Sequence, residues 1–228
     1  MRVLKSLPNA LTCGNLVCGC IGVVQVLQGS VMMGTYMIVL GGIFDFFDGF
    51  AARLTKSSSP IGKELDSLAD MVTFGVLPSV IIFNLMAQAT ESAWLPYLAF
   101  FMAALSALRL AKFNVDTRQA MGFIGMPTPG NALFVGSLPY LVAQNTLGMG
   151  VYLQNYWVLL AIVVVMSLLL VAEVPMMAMK FKTYAWKDNK LKYMFMLFSL
   201  GMLAFFQIAA VPFVILVYVL VSWLSNRS

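Results

Sequence analysis

Long apolar runs separated by short polar segments are the feature that most constrains the fold of this chain. Hydrophobic residues make up 61% of its 228 residues and charged residues only 10%, whereas about a quarter of the residues in a soluble domain are charged. Several runs reach the roughly 20 apolar residues that a helix needs to cross the hydrocarbon core of a bilayer. We therefore predict an all-α fold, a polytopic membrane helical bundle of about eight transmembrane helices, built as a single domain over residues 1–228.

The last apolar stretch decides between seven and eight spans. It runs from Tyr193 to Leu224 and is too long for one simple span. A break is offered by Ala209, Ala210 and Pro212, so we predict a hairpin of two short helices. The hairpin also returns the end of the chain to the side on which the basic residues lie.

The positive charges predict the orientation of the bundle. All fourteen lysines and arginines can be placed on one side of the membrane, whereas the opposite loops contain only Glu91. Because basic loops remain in the cytoplasm, we expect a protein integral to the cytoplasmic membrane, with both termini and the acidic stretch described below on the cytoplasmic side. The same basic residues favour contact with the anionic headgroups of membrane lipids.

The chain has no histidine, which excludes a Ser-His-Asp triad, a histidine-ligated metal site and a histidine base. Its three cysteines, Cys13, Cys18 and Cys20, all lie in the first predicted span. Close packing of small residues between helices is a simpler interpretation of them than a metal site in the membrane. Any metal or acid–base site must then be built from other side chains.

Acidic residues are concentrated in one stretch. Five of the nine lie between the ends of the second and third predicted spans: Asp45, Asp48, Glu64, Asp66 and Asp70. Asp45 and Asp48 are spaced i, i+3, and Asp66 and Asp70 are spaced i, i+4, so each pair lies on one face of its helix. Carboxylates at the membrane edge are costly and indicate a function. Glu64 lies outside this spacing and is predicted to be a solvated surface residue.

A polar linker, Thr55 to Ser59, separates the two helices that carry the acids. Ser59 is a favourable N-cap and Pro60 a favourable first helical residue, so the third helix is predicted to begin near Pro60. Pro78 lies within this helix and is interpreted as a kink that a membrane helix tolerates.

Four carboxylates from two adjacent helix ends repel one another unless cations neutralise them. Hard oxygen ligands suit Mg²⁺ or Mn²⁺, and two such ions bridged by carboxylates form a clamp suited to phosphoryl chemistry. Gly49, Ala52 and Gly62 leave room for a ligand beside the aspartates, and Arg53 can pair with a phosphate. An ion or proton transporter is the alternative of a different class, but its acids are expected near the middle of the membrane.

The full pattern of this stretch is D-x2-D-G-x2-A-R-x8-G-x3-D-x3-D, carried by Asp45, Asp48, Gly49, Ala52, Arg53, Gly62, Asp66 and Asp70. At all eight positions it resembles the signature of the CDP-alcohol phosphotransferases. The resemblance implies an integral membrane enzyme that moves a phosphatidyl or related phosphoryl group from a CDP-linked donor to an alcohol and releases CMP.

Within that family, the flanking sequence is most similar to the membrane-embedded phosphatidylserine synthases. The similarity is carried by SLPNALTCGNLVCG (6–19), SLADMVTFGVLPS (67–79), RLAKFNV (109–115) and GMPTPGNA (125–132). It implies transfer of the phosphatidyl group from CDP-diacylglycerol to the hydroxyl of L-serine. Glycerol 3-phosphate or inositol phosphate remains the alternative acceptor, because basic groups for a phosphate are available at Arg109, Lys112 and Arg118.

The family resemblance also implies roles for individual residues. Two divalent cations, Mg²⁺ or Mn²⁺, would be held by Asp45, Asp48, Asp66 and Asp70. Asp70 would in addition be the base that accepts the proton of the acceptor hydroxyl. The CDP moiety would be bound by Asp45, Gly49, Ala52, Arg53, Gly62 and Asp66. A homodimer is expected, and nucleic acid is not an expected partner.

The residues that hold serine are predicted to lie outside the signature. The candidates to pair with its carboxylate are Arg109, Lys112 and Arg118. The candidates for hydrogen bonds to it are Thr12, Asn15, Asn114 and Thr128. Arg109 has an equal alternative, in which it binds a lipid headgroup or only marks the cytoplasmic side.

Overall fold

The computed structural model describes residues 2–57, 59–116, 123–177 and 185–225, and within these ranges the chain is almost entirely helical. The α-helices in chain order are α1 (Arg2–Leu27), α2 (Val31–Thr55), α3 (Pro60–Asp70), α4 (Leu77–Gln88), α5 (Phe101–Val115), α6 (Thr128–Gln144), α7 (Met149–Tyr152), α8 (Tyr156–Val171), α9 (Trp186–Phe206) and α10 (Val211–Ser225). A π-helical turn, Met71–Val76, joins α3 to α4, and 3-10 turns lie at Leu95–Phe100, Thr146–Gly148 and Gln207–Ala210.

Helices long and apolar enough to cross a membrane confirm the predicted all-α membrane bundle. Among the described residues, five continuous stretches have this length and composition: Ser6–Leu27, Val31–Thr55, Pro60–Gln88, Leu95–Val115 and Asn189–Leu224. A sixth results if Thr146–Tyr152 and Tyr156–Val171, which meet at 101°, form one broken span. The number eight is not confirmed by this count and stays a prediction.

The longest of these stretches is not one straight helix. The rings of Phe195 and Tyr218 lie with their centroids 5.8 Å apart, whereas a straight helix would separate these residues by roughly 35 Å. The chain therefore reverses between α9 and α10. The reversal occurs at Gln207, where φ is 51° and ψ is −132°, just before the break predicted at Ala209, Ala210 and Pro212. The predicted hairpin is confirmed, and its turn begins at Gln207, slightly before the predicted break.

The start of α3 follows the predicted capping. The Ser59 hydroxyl accepts a hydrogen bond from the Gly62 amide at 3.0 Å, and Pro60 is the first residue of the helix. Pro78 lies in the first turn of α4, while the irregular segment lies upstream of it, in the π turn. In that turn the Leu77 amide bonds to the Val72 carbonyl, five residues back, so the helix changes its geometry immediately after Asp70.

Glycines bring the first helices close together. A Cβ added to Gly22 would lie 2.5 Å from Leu77, one added to Gly34 would lie 2.5 Å from Val26, and one added to Gly41 would lie 2.5 Å from the side chain of Thr73. Small residues therefore allow α1, α2 and the helix through residues 60–88 to approach closely. All three cysteines are free, and Cys18 is buried, which agrees with the predicted packing role, whereas Cys13 and Cys20 are exposed and do not pack between helices in this structure.

A short antiparallel ladder fixes the chain before α6. Strand β1 (Phe123–Ile124) pairs with β2 (Pro175–Met176). Gly125 follows with φ +76°, and an added Cβ would lie 2.6 Å from the Leu170 carbonyl oxygen, so this position requires glycine. The Met126 amide donates to the Leu169 carbonyl at 2.9 Å. The first turn of α6 is therefore held against the end of α8.

Candidate active site

Three of the predicted carboxylates form one cluster. Ligand oxygens of Asp45, Asp48 and Asp66 all lie within 4.8 Å of one another. Asp48 is 6% exposed, and the other two are half-buried. The last turns of α2 supply Asp45 and Asp48, and the middle of α3 supplies Asp66, so the helical spacing read from the sequence brings the acids together across two helices.

The chemistry of this donor set fits a divalent cation. Asp66 Oδ1 is buried and has no hydrogen-bond partner among the described residues. The described side chains that donate to the four aspartates are neutral, Thr12 to Asp48 and Asn15 to Asp70. Close carboxylates without a cationic partner are unstable as anions, and a hard divalent cation supplies the missing charge. The cluster therefore has the ligands for divalent metal binding.

Asp70 lies next to the cluster but outside it. It is not among the acids whose oxygens fall within 4.8 Å of one another, although it is close enough for its charge to interact with those of Asp45 and Asp66. Asn15 Nδ2 donates to Asp70 Oδ1 at 3.1 Å. The position differs from that of the other three carboxylates, so the prediction that Asp70 is also a metal ligand stays a prediction.

Thr12, a candidate to hydrogen-bond serine, already has a partner within the protein. Its hydroxyl is buried and lies 2.6 Å from Asp48 Oδ2, to which it donates. The Pro8 carbonyl lies 3.0 Å from the same hydroxyl, but a hydroxyl has only one proton to donate, and the shorter contact is to the charged carboxylate. In this geometry Thr12 orients Asp48, a candidate metal ligand. Its hydroxyl proton is therefore not available for a hydrogen bond to serine.

An open polar pocket of about 240 Å³ lies on one side of the acid cluster. Its lining includes four of the residues predicted to bind the CDP moiety: Gly49, Ala52, Gly62 and Asp66. A Cβ added to Gly62 would lie 3.2 Å from both Asn9 Oδ1 and Ser59 Oγ, so a larger residue there would narrow the pocket. Arg53 is exposed and is not part of this lining, and its contact with a phosphate stays a prediction.

A second open pocket, of about 320 Å³, adjoins the cluster at Asp45 and is apolar. Asp45 is its acidic residue, and the rest of the wall includes Ile38, Phe46, Phe74 and Leu133. The carboxylates therefore lie between a polar pocket, lined by Asp48 and Asp66, and an apolar one. This arrangement matches a ligand with a polar head and a hydrocarbon tail.

Arg109 is a predicted acceptor residue whose side chain is buried. It is 6% exposed, and its charge interacts with that of Asp70. Its Nε donates to the Met126 carbonyl at 2.7 Å, and its guanidinium carbon lies 5.6 Å from the centroid of the Phe113 ring. A buried arginine is costly unless its remaining donors find acceptors, so an anionic group fits this position.

The other predicted acceptor residues differ in their burial and in their hydrogen-bond partners. Thr128, at the start of α6, is 1% exposed, and its hydroxyl has no partner among the described residues. Asn114 is already bonded within the protein. Its side-chain Nδ2 donates to Ser67 Oγ and its backbone carbonyl accepts from Lys63 Nζ, both at 2.9 Å. Lys112 is exposed, and Arg118 lies outside the described residues. Asn114 therefore ties α5 to α3.

Asn131 is a polar residue that the sequence analysis did not select. It is 0% exposed, and neither its Nδ2 nor its Oδ1 has a partner among the described residues. It lies three residues after Thr128, so the two residues share one face of α6. A buried amide without partners is costly. The sequence feature that could have indicated this residue is an asparagine placed between Gly130 and a run of apolar residues.

The chain is similar to known proteins over most of its length. Residues 5–166 match the family described as CDP-alcohol phosphatidyltransferase. A protein of Bacillus subtilis (strain 168) named CDP-diacylglycerol–serine O-phosphatidyltransferase is 36% identical over 155 residues, which cover 64% of this chain and 85% of that protein.

Two further relatives carry the same name. The protein of Mycobacterium leprae (strain TN) is 32% identical over 183 residues, which cover 77% of this chain and 59% of the relative. The protein of Saccharomyces cerevisiae (strain ATCC 204508 / S288c) is 40% identical over 124 residues, covering 50% of this chain and 44% of the relative. The chain thus spans little more than half of the mycobacterial relative and less than half of the yeast one. With the family match over residues 5–166 and the acid cluster inside it, this chain belongs to the CDP-alcohol phosphatidyltransferase family.

Proposed function

We propose that this protein transfers the phosphatidyl group of CDP-diacylglycerol to the hydroxyl of L-serine and releases phosphatidylserine and CMP. The observation that carries the proposal is the cluster of Asp45, Asp48 and Asp66, whose oxygens lie within 4.8 Å of one another between a polar and an apolar pocket. Family membership supplies the reaction type, and the names of the relatives support serine as the acceptor.

The donor is amphipathic, and the two pockets offer a place for each part. We assign the cytidine and diphosphate groups to the polar pocket, where Gly49, Ala52 and Gly62 leave room beside the acids. The apolar pocket next to Asp45 is suited to the start of the diacylglycerol chains. The phosphorus that is attacked would then lie at the junction of the two pockets, beside the carboxylates. Arg53, exposed near Gly49, is assigned to the diphosphate.

The carboxylates of Asp45, Asp48 and Asp66 would hold divalent metal, with Asp70 as a further ligand in a site for two ions, Mg²⁺ or Mn²⁺. Bound there, the ions would stabilise negative charge on the diphosphate oxygens and on the departing CMP. Thr12 keeps Asp48 in its ligating orientation through the 2.6 Å hydrogen bond.

Asp70 is assigned as the general base. A serine hydroxyl is a weak nucleophile at neutral pH, and a carboxylate held beside it accepts its proton as the attack proceeds. The serine oxygen forms a bond to the phosphatidyl phosphorus, the bond from that phosphorus to the CMP oxygen breaks, and the proton goes to Asp70. Asn15 holds one Asp70 oxygen at 3.1 Å and leaves the other for the substrate.

The acceptor would lie between Asp70 and the start of α6. The Arg109 guanidinium is suited to the serine carboxylate, and the unpartnered groups of Thr128 and Asn131 are suited to the ammonium group. The amide and hydroxyl both donate and accept, which fits a zwitterion better than a phosphate. Glycerol 3-phosphate and inositol phosphate would need more cations than the single buried arginine of the described part of this region.

The orientation and assembly of the protein belong to the same proposal. The basic residues favour a cytoplasmic location for the acid cluster and both termini, where CDP-linked donors and serine are available. A homodimer is proposed from the family resemblance. The site as built within one chain does not require a residue from a second copy.

The test is an acceptor panel with purified protein in detergent or nanodiscs. CDP-diacylglycerol and Mn²⁺ or Mg²⁺ are incubated in turn with serine, glycerol 3-phosphate and inositol phosphate, and CMP release is followed. We expect release with serine and metal, and little with the other acceptors. Equal release with all three acceptors, or release that persists in a chelator, would contradict the proposal.

A further inference from the structure

Thr73 occupies a position that connects the candidate base to the first helix. It lies in the π turn that begins directly after Asp70, and it is 0% exposed. Its hydroxyl donates to the backbone carbonyl of Asn15 on α1, at 2.9 Å. A buried threonine in a helix usually donates to a carbonyl of its own helix, so this bond to a neighbouring helix is a specific contact.

Two glycines form the slot that holds Thr73. A Cβ added to Gly19 would lie 2.5 Å from Thr73 Oγ1 and 3.0 Å from its backbone nitrogen. A Cβ added to Gly41 would lie 2.5 Å from Thr73 Cγ2 and 2.9 Å from Asn15 Oδ1. Helix α1 therefore contacts one side of Thr73 and α2 contacts the other. The position of the residue is set by two helices rather than by its own helix alone.

Asn15 binds both ends of the segment from Asp70 to Thr73. Its carbonyl accepts the hydroxyl of Thr73, and its side chain donates to Asp70 Oδ1. Asn15 is itself 0% exposed. A shift of Thr73 relative to α1 would therefore change the relation between the Asn15 amide and the Asp70 carboxylate.

The π turn explains why such an anchor matters here. Its hydrogen bonds run to the residue five positions back rather than four, and π turns of this kind are rare and often occur at functional sites. Asp70 is the last residue before this change in geometry. The bond from Thr73 to α1 fixes the first turn after it.

We propose that Thr73 is a positioning residue for the transfer reaction. Its hydroxyl anchors the π turn to the Asn15 carbonyl and thereby holds the Asp70 carboxylate in the direction needed to accept the proton of the acceptor. This role rests on the proposed function of Asp70 as the base. Thr73 does not contact substrate in this assignment and acts through Asn15 and Asp70.

The test compares Thr73→Val with a matched control on the same helix. Valine has a similar size but cannot donate the hydrogen bond to Asn15. We expect kcat to fall about tenfold to a hundredfold, because small errors in the position of a reacting group have effects of this size. The KM for CDP-diacylglycerol should not change. Thr73→Ser, which keeps the hydroxyl, should retain most of the wild-type kcat.

Ser79→Ala is the control, because the Ser79 hydroxyl is also buried on this helix but donates to the Gly75 carbonyl of its own helix, at 2.8 Å. Its kcat should match that of the wild type even if its melting temperature falls. A Thr73→Val protein with wild-type kcat and only a lower melting temperature would overturn the proposal. If Thr73→Val does not fold, Thr73→Cys, whose thiol is a weaker donor, replaces it, and a wild-type kcat for that variant would likewise overturn it.

Asp70→Asn is measured in the same assay, so that the role of Asp70 as the base is tested separately from the positioning role of Thr73. A nearly inactive Asp70→Asn together with a normal Thr73→Val would reject the positioning role alone. An Asp70→Asn protein that turns over normally would reject the assignment of Asp70 as the base, whatever the Thr73 variants do.

Discussion

The acid cluster and the start of α6 are both buried polar regions of an apolar bundle, but they are built in opposite ways. The cluster consists of like charges, Asp45, Asp48 and Asp66, and among the described residues a buried oxygen of Asp66 has no hydrogen-bond partner. The α6 region consists of the neutral side chains of Thr128 and Asn131, which have no partners among the described residues, and of Arg109, which bonds to the Met126 carbonyl just before the helix. In the part of the chain that the structure describes, the side chains that donate to the carboxylates are neutral, whereas the polar groups of Thr128 and Asn131 have no hydrogen-bond partners.

This difference separates two aspects of the function. A set of carboxylates suits metal and the phosphoryl chemistry that every member of such a family must perform. A set of amide, hydroxyl and guanidinium groups suits recognition of one acceptor. Substitutions in the acid cluster should therefore abolish transfer to any acceptor, whereas substitutions around α6 should change how well serine in particular is used.

The largest effect is expected from Asp66→Asn. Loss of a charged ligand from the cluster should lower turnover about a thousandfold, since a bound metal contributes several kcal/mol to charge stabilisation and each 1.4 kcal/mol is a factor of ten. CMP release and Mn²⁺ binding by electron paramagnetic resonance should fall together. Glu64→Gln, on the same helix but exposed, is the control and should be active. Normal Mn²⁺ binding by Asp66→Asn would show that the metal is held elsewhere.

A smaller effect is expected from Arg109→Lys. Lysine keeps the positive charge but loses the planar donor group that pairs with a carboxylate. The KM for serine should rise about tenfold to a hundredfold, in line with the loss of a charge-assisted hydrogen bond, while the KM for CDP-diacylglycerol stays unchanged. The exposed Lys112 provides the control, since Lys112→Leu should leave both constants unchanged. A rise in the donor KM instead would indicate that Arg109 contacts the lipid headgroup.

The smallest effect, and the sharpest test of the α6 region, is expected from Asn131→Leu. Replacing an unpartnered buried amide by an apolar side chain should leave the melting temperature unchanged or raise it. The KM for serine should nevertheless increase about tenfold, because a hydrogen-bond partner is lost. Ser167→Ala removes another buried, unpartnered hydroxyl, on α8, and should not change this KM. If both variants use serine normally, Asn131 has no part in acceptor recognition.

The sequence predicted those parts of the molecule that local periodicity determines. The spacing of Asp45 and Asp48 on one helix, and the short linker to the helix of Asp66, predicted that these acids lie near one another, and their oxygens do so. Capping by Ser59 and the reversal between α9 and α10 were predicted for similar reasons, since both depend on a few adjacent residues.

The remaining features depend on contacts between distant segments. The hydroxyl of Thr12 reaches Asp48 across the contact between α1 and α2, and the burial of Asn131 depends on how α6 packs in the bundle. The π turn after Asp70 contains no proline, and its geometry is held by packing of Thr73 between two glycines. None of these relations has a short-range signature, so the sequence alone did not reveal them.

The central claim is that the acid cluster, with metal, transfers the phosphatidyl group to serine. The most direct measurement follows isotope-labelled serine into extractable lipid with purified protein, CDP-diacylglycerol and Mn²⁺, and compares the amount with the CMP released. We predict one labelled phosphatidylserine for each CMP, complete loss of both products in chelator, and recovery when Mn²⁺ is restored. CMP release without labelled lipid, or labelled lipid formed in the presence of chelator, would contradict this account.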